Sequence, residues 1–352
     1  SAILGITRYQ DPNHFLVKQL FRAVLGVGVL ALCTRVDLRR LESLAVPLMA
    51  GAAGLLAVVA VVGHVSNGSA RWLRMGLVNF QPTDLARLAT VVFLAWWLKR
   101  RPPDELGFLR GVLPALAVTL VMAGLILAQP NLSSAGLIAI TGGAMLFLGG
   151  ARAVHLAAPV VTGIVGAGLA VLSHPYQMSR VKAFVTQLVG GGIDAHGSGW
   201  QLDQSLIAIG SGGWFGRGLG GGLQKYLFLP EAHTDFIFSI LAEELGFIGA
   251  TGLLFLLALL VWRGLRTAAR ASDPFAFLLA GGLIVQLGLY ALVNLAVATG
   301  LAPTTGLPLP FVSYGGSALL ANLAAAGLLY RVSTVNEVRD SVTRSRWSRE
   351  SA

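Results

Sequence analysis

The sequence predicts an all-α polytopic membrane protein with nine transmembrane helices and a long extracytoplasmic loop containing short amphipathic helices. Three observations carry that prediction. Only 12% of the 352 residues are charged and 55% are hydrophobic, with a mean hydropathy of +0.72, whereas soluble domains carry about 25% charged residues. Apolar runs near the length needed to cross a bilayer recur along the whole chain. The 44 glycines fit helices that approach one another closely in lipid.

The apolar runs fall at about 15–34, 45–63, 83–99, 110–128, 133–149, 152–172, 236–262, 275–298 and 316–332. The connections between them alternate in charge. One set holds Arg35, Arg39, Arg40, Lys99, Arg100, Arg101, Arg110, Arg152, Arg263, Arg266 and Arg270, and the C-terminal tail adds Arg331, Arg339, Arg344, Arg346 and Arg349. The opposite short connections and the N-terminal stretch hold only Arg8, Arg71 and Arg74. The positive-inside rule makes the first set cytoplasmic. The net charge of +10 is therefore read as membrane-anchoring charge, which removes any reason to expect a nucleic-acid partner. The tail, 333–352, is expected to be disordered or to lie on anionic membrane lipids.

Nine spans with a cytoplasmic C-terminus put Ser1 outside, and the start "SAILGITRYQDPNHF" has neither Met nor the charged and apolar regions of a signal peptide. The expectation is that an earlier span precedes Ser1. The lone cysteine, Cys33, lies in an apolar run and excludes an internal disulfide. The whole of 1–352 reads as a single integral membrane domain.

Residues 173–235 break the pattern of short connections. Their composition is not that of a disordered loop. "MSRVKAFVTQLV" (178–189) has the spacing of an interfacial amphipathic helix, and "LDQSLIAIGSGG" reads as a short apolar helix ended by glycines. The glycine-rich stretch 210–222 lacks both the Walker spacing and a preceding strand. Its N–H groups could still hold an anion, or simply form tight turns.

Beyond it lies "LPEAHTDFIFSILAEELG" (229–246), with Glu231, Asp235, Glu243 and Glu244, four of the chain's 16 acidic residues. Thr234 is the expected N-cap of the next helix, with Asp235 in its first turn. A purely structural role for Asp235, worth about 0.3–1 kcal/mol against the helix dipole, stays open. Glu243 and Glu244 fall about 12–14 Å deeper at 1.5 Å per residue, where carboxylates face a cavity or a partner. They form a candidate intramembrane polar site, with Arg180, Lys182, Arg217 and Lys225 as candidate ion-pair partners. Two further stretches fall on the same outer side. "NGSARWLRMGLVNFQPTDLARL" (67–88) brings Arg71, Trp72, Arg74, Gln81 and Asp84, an arrangement suited to lipid headgroups or to interfacial anchoring. "ATGLAPTTGLPLPFVSYGGSALLANL" (298–323) packs Pro303, Pro308 and Pro310 before Ser313 and Tyr314, a rigid lid beside a span.

The stretches "GSARWLRMGLVNFQPTDLARL", "GSGWQLDQSLIAIGSGGWFGRGLGGGLQKYLFLPEAHTDFIFSILAEELGFIGA" and "TGLAPTTGLPLPFVSYGGSALLANL" resemble the SEDS family (shape, elongation, division and sporulation proteins), typified by RodA, FtsW and SpoVE, and the likeness covers essentially the whole chain. The resemblance implies ten spans, the first lying before Ser1. It also implies a peptidoglycan glycosyltransferase that polymerises lipid II on the outer face of the bacterial cytoplasmic membrane, together with a class B penicillin-binding protein. The catalytic carboxylate it implies is the Asp of the His-Thr-Asp-Phe motif, Asp235. An elongation role and a division role both stay open.

A substrate of this kind needs an apolar wall and a polar mouth. Asp235 is the candidate general base for the acceptor hydroxyl, a contribution of about 10²–10⁴-fold. A diphosphate leaving group needs positive charge rather than a general acid, for which Arg71, Lys225, Arg74 and Arg217 are candidates. Trp72, Glu231, Ser313 and Tyr314 complete the candidate substrate contacts. No spacing of His, Cys and carboxylates demands a cofactor, although Asp235 with Glu231 could hold a divalent metal. The alternatives are a lipid II flippase, which predicts ionisable residues through the membrane depth and inverted repeats, and a non-catalytic scaffold, which leaves the acidic cluster unexplained.

Overall fold

Every one of the nine apolar runs is helical in the computed structural model, which describes residues 14–62, 64–66, 69–75, 78–101, 107–189, 197–226, 228–230 and 232–350. The helices are α1 (His14–Cys33), α2 (Leu38–Ser43), α3 (Ala45–Val62), α4 (Pro82–Arg100), α5 (Leu113–Leu127, entered through a π-helical turn at Phe108–Val112), α6 (Leu132–Leu148), α7 (Ala153–Ser173), α8 (Pro175–Leu188), α9 (Ser198–Ser211), α10 (Ile237–Ala269), α11 (Pro274–Ala298) and α12 (Gly316–Glu350). Their starts carry local signals. Asp37 caps α2 by accepting from the Arg39 N–H, Asn131 caps α6 by accepting from the Ser134 N–H, and Pro82 and Pro175 open α4 and α8 where no N–H is needed.

Among the described residues, six helices are long and apolar enough to cross a membrane: α1, the Phe108–Leu127 segment, α7, α10, α11 and the Gly316–Asn336 part of α12. The Ala45–Val61 part of α3 and α6 are shorter apolar helices. No residue of α7 is buried, and its exposed face of Val160, Val161, Ile164 and Leu169 suits contact with lipid chains. The tail does not start as loose chain: α12 continues through it to Glu350.

The expectation of an all-α chain needs one correction. Strands β1 (His64–Ser66), β2 (Ser69–Met75) and β3 (Val78–Phe80) form a small antiparallel sheet in the order β1-β2-β3. Ser66 pairs with Ser69 and Met75 with Val78, so two-residue connections join the strands. Asn67-Gly68 and Gly76-Leu77 occupy them in the sequence, both favoured pairs for tight hairpins.

The chain divides into two compact units. The first comprises 1–24, 159–259 and 287–319; the second comprises 25–158, 260–286 and 320–352. In the second unit α3 packs on α4, and α4 and α5 pack on α6. Helix α4 is enclosed, with Arg87 only 1% exposed. The Arg87 guanidinium donates to Asn322 Oδ1 at 2.7 Å and lies 3.5 Å from Asp84, while Gln286 Nε2 donates to the Arg87 carbonyl at 3.2 Å. These polar anchors explain why α4 is apolar in only part of its length. At its end Lys99 pairs with Glu42 at 2.9 Å and Asp273 at 3.1 Å. A cavity of about 380 Å³ in this unit is lined by Arg263, Arg266, Arg270, Tyr330, Ser333 and Asn336 among others.

In the first unit one apolar cluster gathers Phe238, Ala242, Ala250, Ala291, Ala298 and Leu309, and a second gathers Leu229, Ala232, Phe236, Ile240 and Val297. Both lie along the N-terminal part of α10 and the C-terminal part of α11. A buried hydroxyl pair, Ser205 and Ser239 at 2.6 Å, is tied to the Ala298 carbonyl at 2.7 Å and joins α9 to the same core.

Candidate functional site

The acidic stretch meets α10 by a route the sequence does not announce. Thr234 is not the N-cap, because the helix begins at Ile237 and residues 232–236 form turns ahead of it. The carbonyls of these turns are held from the side by the late loop instead. Ser313 Oγ donates to the Thr234 carbonyl at 2.6 Å, and the Tyr314 N–H donates to the His233 carbonyl at 2.9 Å. Asn294 Nδ2 donates to the Asp235 carbonyl at 2.9 Å and to the Leu307 carbonyl at 2.7 Å. Ser313 Oγ also accepts from the Leu309 N–H at 2.7 Å, which folds the proline-rich loop onto itself. Asp235 is thus half-buried at the mouth of α10, on a backbone held at three consecutive residues.

The loop of residues 299–315 contains no helix and forms one wall of the site. At Gly306 a Cβ would lie 3.5 Å from Asp235 Oδ2, so the carboxylate faces this loop closely. Arg180 of α8 donates to the Thr304 carbonyl at 2.9 Å, with its guanidinium 4.5 Å from the Tyr176 ring centroid. The Tyr314 ring meets His233 edge-on at 5.6 Å and carries the Arg22 guanidinium at 4.6 Å.

Glu243 and Glu244 lie at a break in the same helix. Gly246, at φ 68°, interrupts α10, and the glycine-rich loop fills the gap. The Arg217 and Gly218 N–H groups donate to the Glu243 and Glu244 carbonyls at 3.0 and 3.1 Å, while Phe247 and Ile248 donate back to the Gly213 and Trp214 carbonyls at 2.8 and 3.2 Å. Backbone groups freed by the break are therefore paired inside the protein, as an apolar surrounding demands. The side chains join in. Glu243, 1% exposed, accepts from the Leu223 and Gln224 N–H groups at 2.7 and 3.3 Å. Glu244 accepts from the Gly220 N–H at 3.0 Å and pairs with Lys225 at 2.6 Å. The anion held by the glycine loop is the protein's own pair of carboxylates.

Lys225 is therefore directed to Glu244, and Ser313 and Tyr314 are gathered around Asp235. The backbone of Arg71 and Trp72 lies in β2, in the other unit, and their side chains, like Glu231, lie outside the described residues. Among the described residues no group of three or more His, Cys, Asp or Glu could hold a metal. Arg22, Asn294 and Gly306 were missed from sequence. For Arg22 a signal existed, a charged residue inside an apolar run.

The FtsW/RodA/SpoVE family, described as cell cycle protein, matches residues 1–338. The chain belongs to this family. It is 39% identical over 339 residues to the "Probable peptidoglycan glycosyltransferase FtsW" of Geobacter sulfurreducens, covering 95% of this chain and 89% of that protein. It is 39% identical over 335 residues to the "Stage V sporulation protein E" of Bacillus subtilis, covering 95% and 90%. A solved chain described under "Structural coordination of polymerization and crosslinking by a peptidoglycan synthase complex" superposes with a TM-score of 0.78 at 35% identity, covering 95% of this chain and 94% of that one. The chain is a multi-pass membrane protein of the SEDS family.

Proposed function

We propose that this chain, a peptidoglycan glycosyltransferase, polymerises lipid II at the outer face of the bacterial cytoplasmic membrane with Asp235 as general base. The observation that carries the reading is the backbone clamp on His233, Thr234 and Asp235, which holds one carboxylate against the loop of residues 299–315. A base must be positioned before its pKa matters.

In this reading Asp235 takes the proton from the acceptor's 4-hydroxyl as that oxygen attacks the anomeric carbon of the donor. The bond from that carbon to the diphosphate breaks, and the diphosphate leaves with the electron pair. Where the donor linkage is α and the product β, one displacement inverts the centre. Glu243 and Glu244 act as structural carboxylates, since both are satisfied within the glycine loop and the break of α10.

The same reading takes all nine predicted runs as spans of a single integral membrane domain, with 173–235 outside and 333–352 inside, the latter following from the arginine distribution. A class B penicillin-binding protein is the proposed partner, which the likeness to a chain from a peptidoglycan synthase complex supports. Arg71 and Trp72 remain sequence-based candidates for contact with headgroup or substrate, and Glu231 for contact with the sugar.

The test is glycan polymer formation from purified lipid II in detergent, with and without a class B partner, comparing wild type with Asp235→Asn. Loss of polymer in a folded, partner-competent Asp235→Asn protein is expected. Equal polymer from both would reduce Asp235 to a helix-end carboxylate, and no polymer from either would favour the flippase or scaffold.

A further inference from the structure

Arg22 lies in the third turn of α1, and only 8% of it is exposed. Its buried Nε meets no acceptor. Among the described residues no carboxylate pairs with it, and its one polar contact is the face of Tyr314 at 4.6 Å. A buried cation without a counter-ion is costly, and a ring face compensates for part of that only. The fold nevertheless keeps a place for it: a Cβ at Gly316 would lie 3.0 Å from Arg22 Nε.

Three other cations of this unit are directed elsewhere, and Lys182 is exposed on α8. Lys225 pairs with Glu244, Arg180 donates to the Thr304 carbonyl, and Arg217 is exposed with its Nε 3.4 Å from the Ser211 carbonyl. Arg22, by contrast, connects to the site. The Tyr314 ring that it covers meets the His233 ring, and the Tyr314 N–H holds the His233 carbonyl, two residues before Asp235.

We propose that Arg22 binds the diphosphate of the lipid-linked donor and offsets the charge that develops on it as the sugar is transferred. This rests on the polymerase reading of Asp235. The ligand chemistry is a phosphate ester anion carried on a lipid, and a prenyl diphosphate is the form that the reaction supplies. The arrangement makes Arg22 the complement of Asp235: one group accepts the proton from the acceptor, the other receives the departing anion.

The test uses the full chain in detergent with three probes: farnesyl diphosphate, inorganic pyrophosphate and phosphatidylglycerol. Thermal unfolding is followed for wild type, Arg22→Gln, Arg22→Lys and Asp235→Asn. Farnesyl diphosphate is expected to raise the wild-type Tm, with affinity weakened about tenfold or more in Arg22→Gln and partly restored in Arg22→Lys. Without ligand, Arg22→Gln is expected to unfold at the wild-type temperature or above it, because removal of an uncompensated charge relieves a cost. Asp235→Asn is expected to bind farnesyl diphosphate as wild type does, so failure of the base assignment leaves this result standing. The proposal is overturned if Arg22→Gln binds as wild type does. It is equally overturned if phosphatidylglycerol protects as well as farnesyl diphosphate, which would make the site one for a phospholipid headgroup, or if ligand-free Arg22→Gln and Arg22→Lys both unfold below wild type with binding lost, which would make Arg22 a packing residue.

Discussion

Asn294 and Asp235 are joined through one side-chain nitrogen: Asn294 Nδ2 donates to the Asp235 carbonyl at 2.9 Å and, with its second hydrogen, to the Leu307 carbonyl at 2.7 Å. One buried amide on α11 therefore fixes the acidic turn and the proline-rich loop together.

Replacing it with Leu leaves two carbonyls without that donor, at a cost of about 1–3 kcal/mol for each that stays buried. Asn294→Leu is expected to lower the unfolding temperature and to reduce polymer formation. The comparison is Gln286→Leu, which removes a donor from the Arg87 carbonyl: it is expected to destabilise without a matching loss of activity per folded molecule. Equal activity loss in the two variants would show that Asn294 has no positional role.

Gly306 supplies a local test. Its φ is 76° and its Cβ position faces Asp235 Oδ2. Gly306→Ala pays about 1–2 kcal/mol for the left-handed backbone and sets a methyl in van der Waals contact with the carboxylate, where it takes the place of solvent or substrate. The expected outcome is folded protein with polymer formation reduced severalfold, read by glycan length on gels and by thermal unfolding side by side. Full activity at a lowered Tm would separate the loop from the chemistry.

Lys225 and Glu244 are 14% and 15% exposed in their side chains. Removing one partner leaves a largely buried charge, at about 3–5 kcal/mol. Lys225→Met and Glu244→Gln are each expected to destabilise more than half as much as the double variant, with a coupling of about 0.5–3 kcal/mol in a double-mutant cycle. Additive losses would dissolve the pair as a structural element and return Lys225 to the list of substrate contacts.

Gly246 and Gly252 both sit within α10, yet they should tolerate change very differently. A Cβ at Gly246 would overlap the Gly216 nitrogen in a backbone with positive φ, whereas nothing lies within 4 Å of a Cβ at Gly252. Gly246→Ala is expected to give little monodisperse protein in size-exclusion chromatography. Gly252→Ala should behave as wild type. Comparable yields would mean that the helix can close without the inserted loop.

Much of the architecture is legible because apolar run length is a direct reading of the solvent. Each of the nine runs became a helix, and the amphipathic spacing of 178–189 became α8. Two things escaped. The sheet was signalled by Asn67-Gly68 and Gly76-Leu77, but the surrounding Arg71, Trp72 and Arg74 read more readily as an interfacial cluster than as a strand. The break at Gly246 had no local signal, since a glycine inside an apolar run is common in membrane helices. What makes it a break is a loop thirty residues earlier in the chain.

The site shows the same division. Ser313, Tyr314 and Asp235 stand in recognisable motifs, and the structure brings them together through backbone carbonyls that no motif encodes. A Thr ahead of an apolar run favours the N-cap position, yet the Thr234 carbonyl is claimed by Ser313, a residue 79 positions away. Arg22 stands inside an apolar run, which marks it in the sequence, but only the structure shows its burial and its missing counter-ion.

The break at Gly246 has a mechanical consequence. The piece of α10 ahead of it, Ile237 to Leu245, begins next to Asp235 and ends on the two carboxylates that grip the glycine loop. The intervening chain from Lys225 to Glu244 is closed into a ring by their ion pair. One side of this ring is held at the His233, Thr234 and Asp235 carbonyls and the other at the Glu243 and Glu244 carbonyls, so strain at the Gly246 break reaches the backbone of Asp235 through a closed loop of chain rather than through a free end.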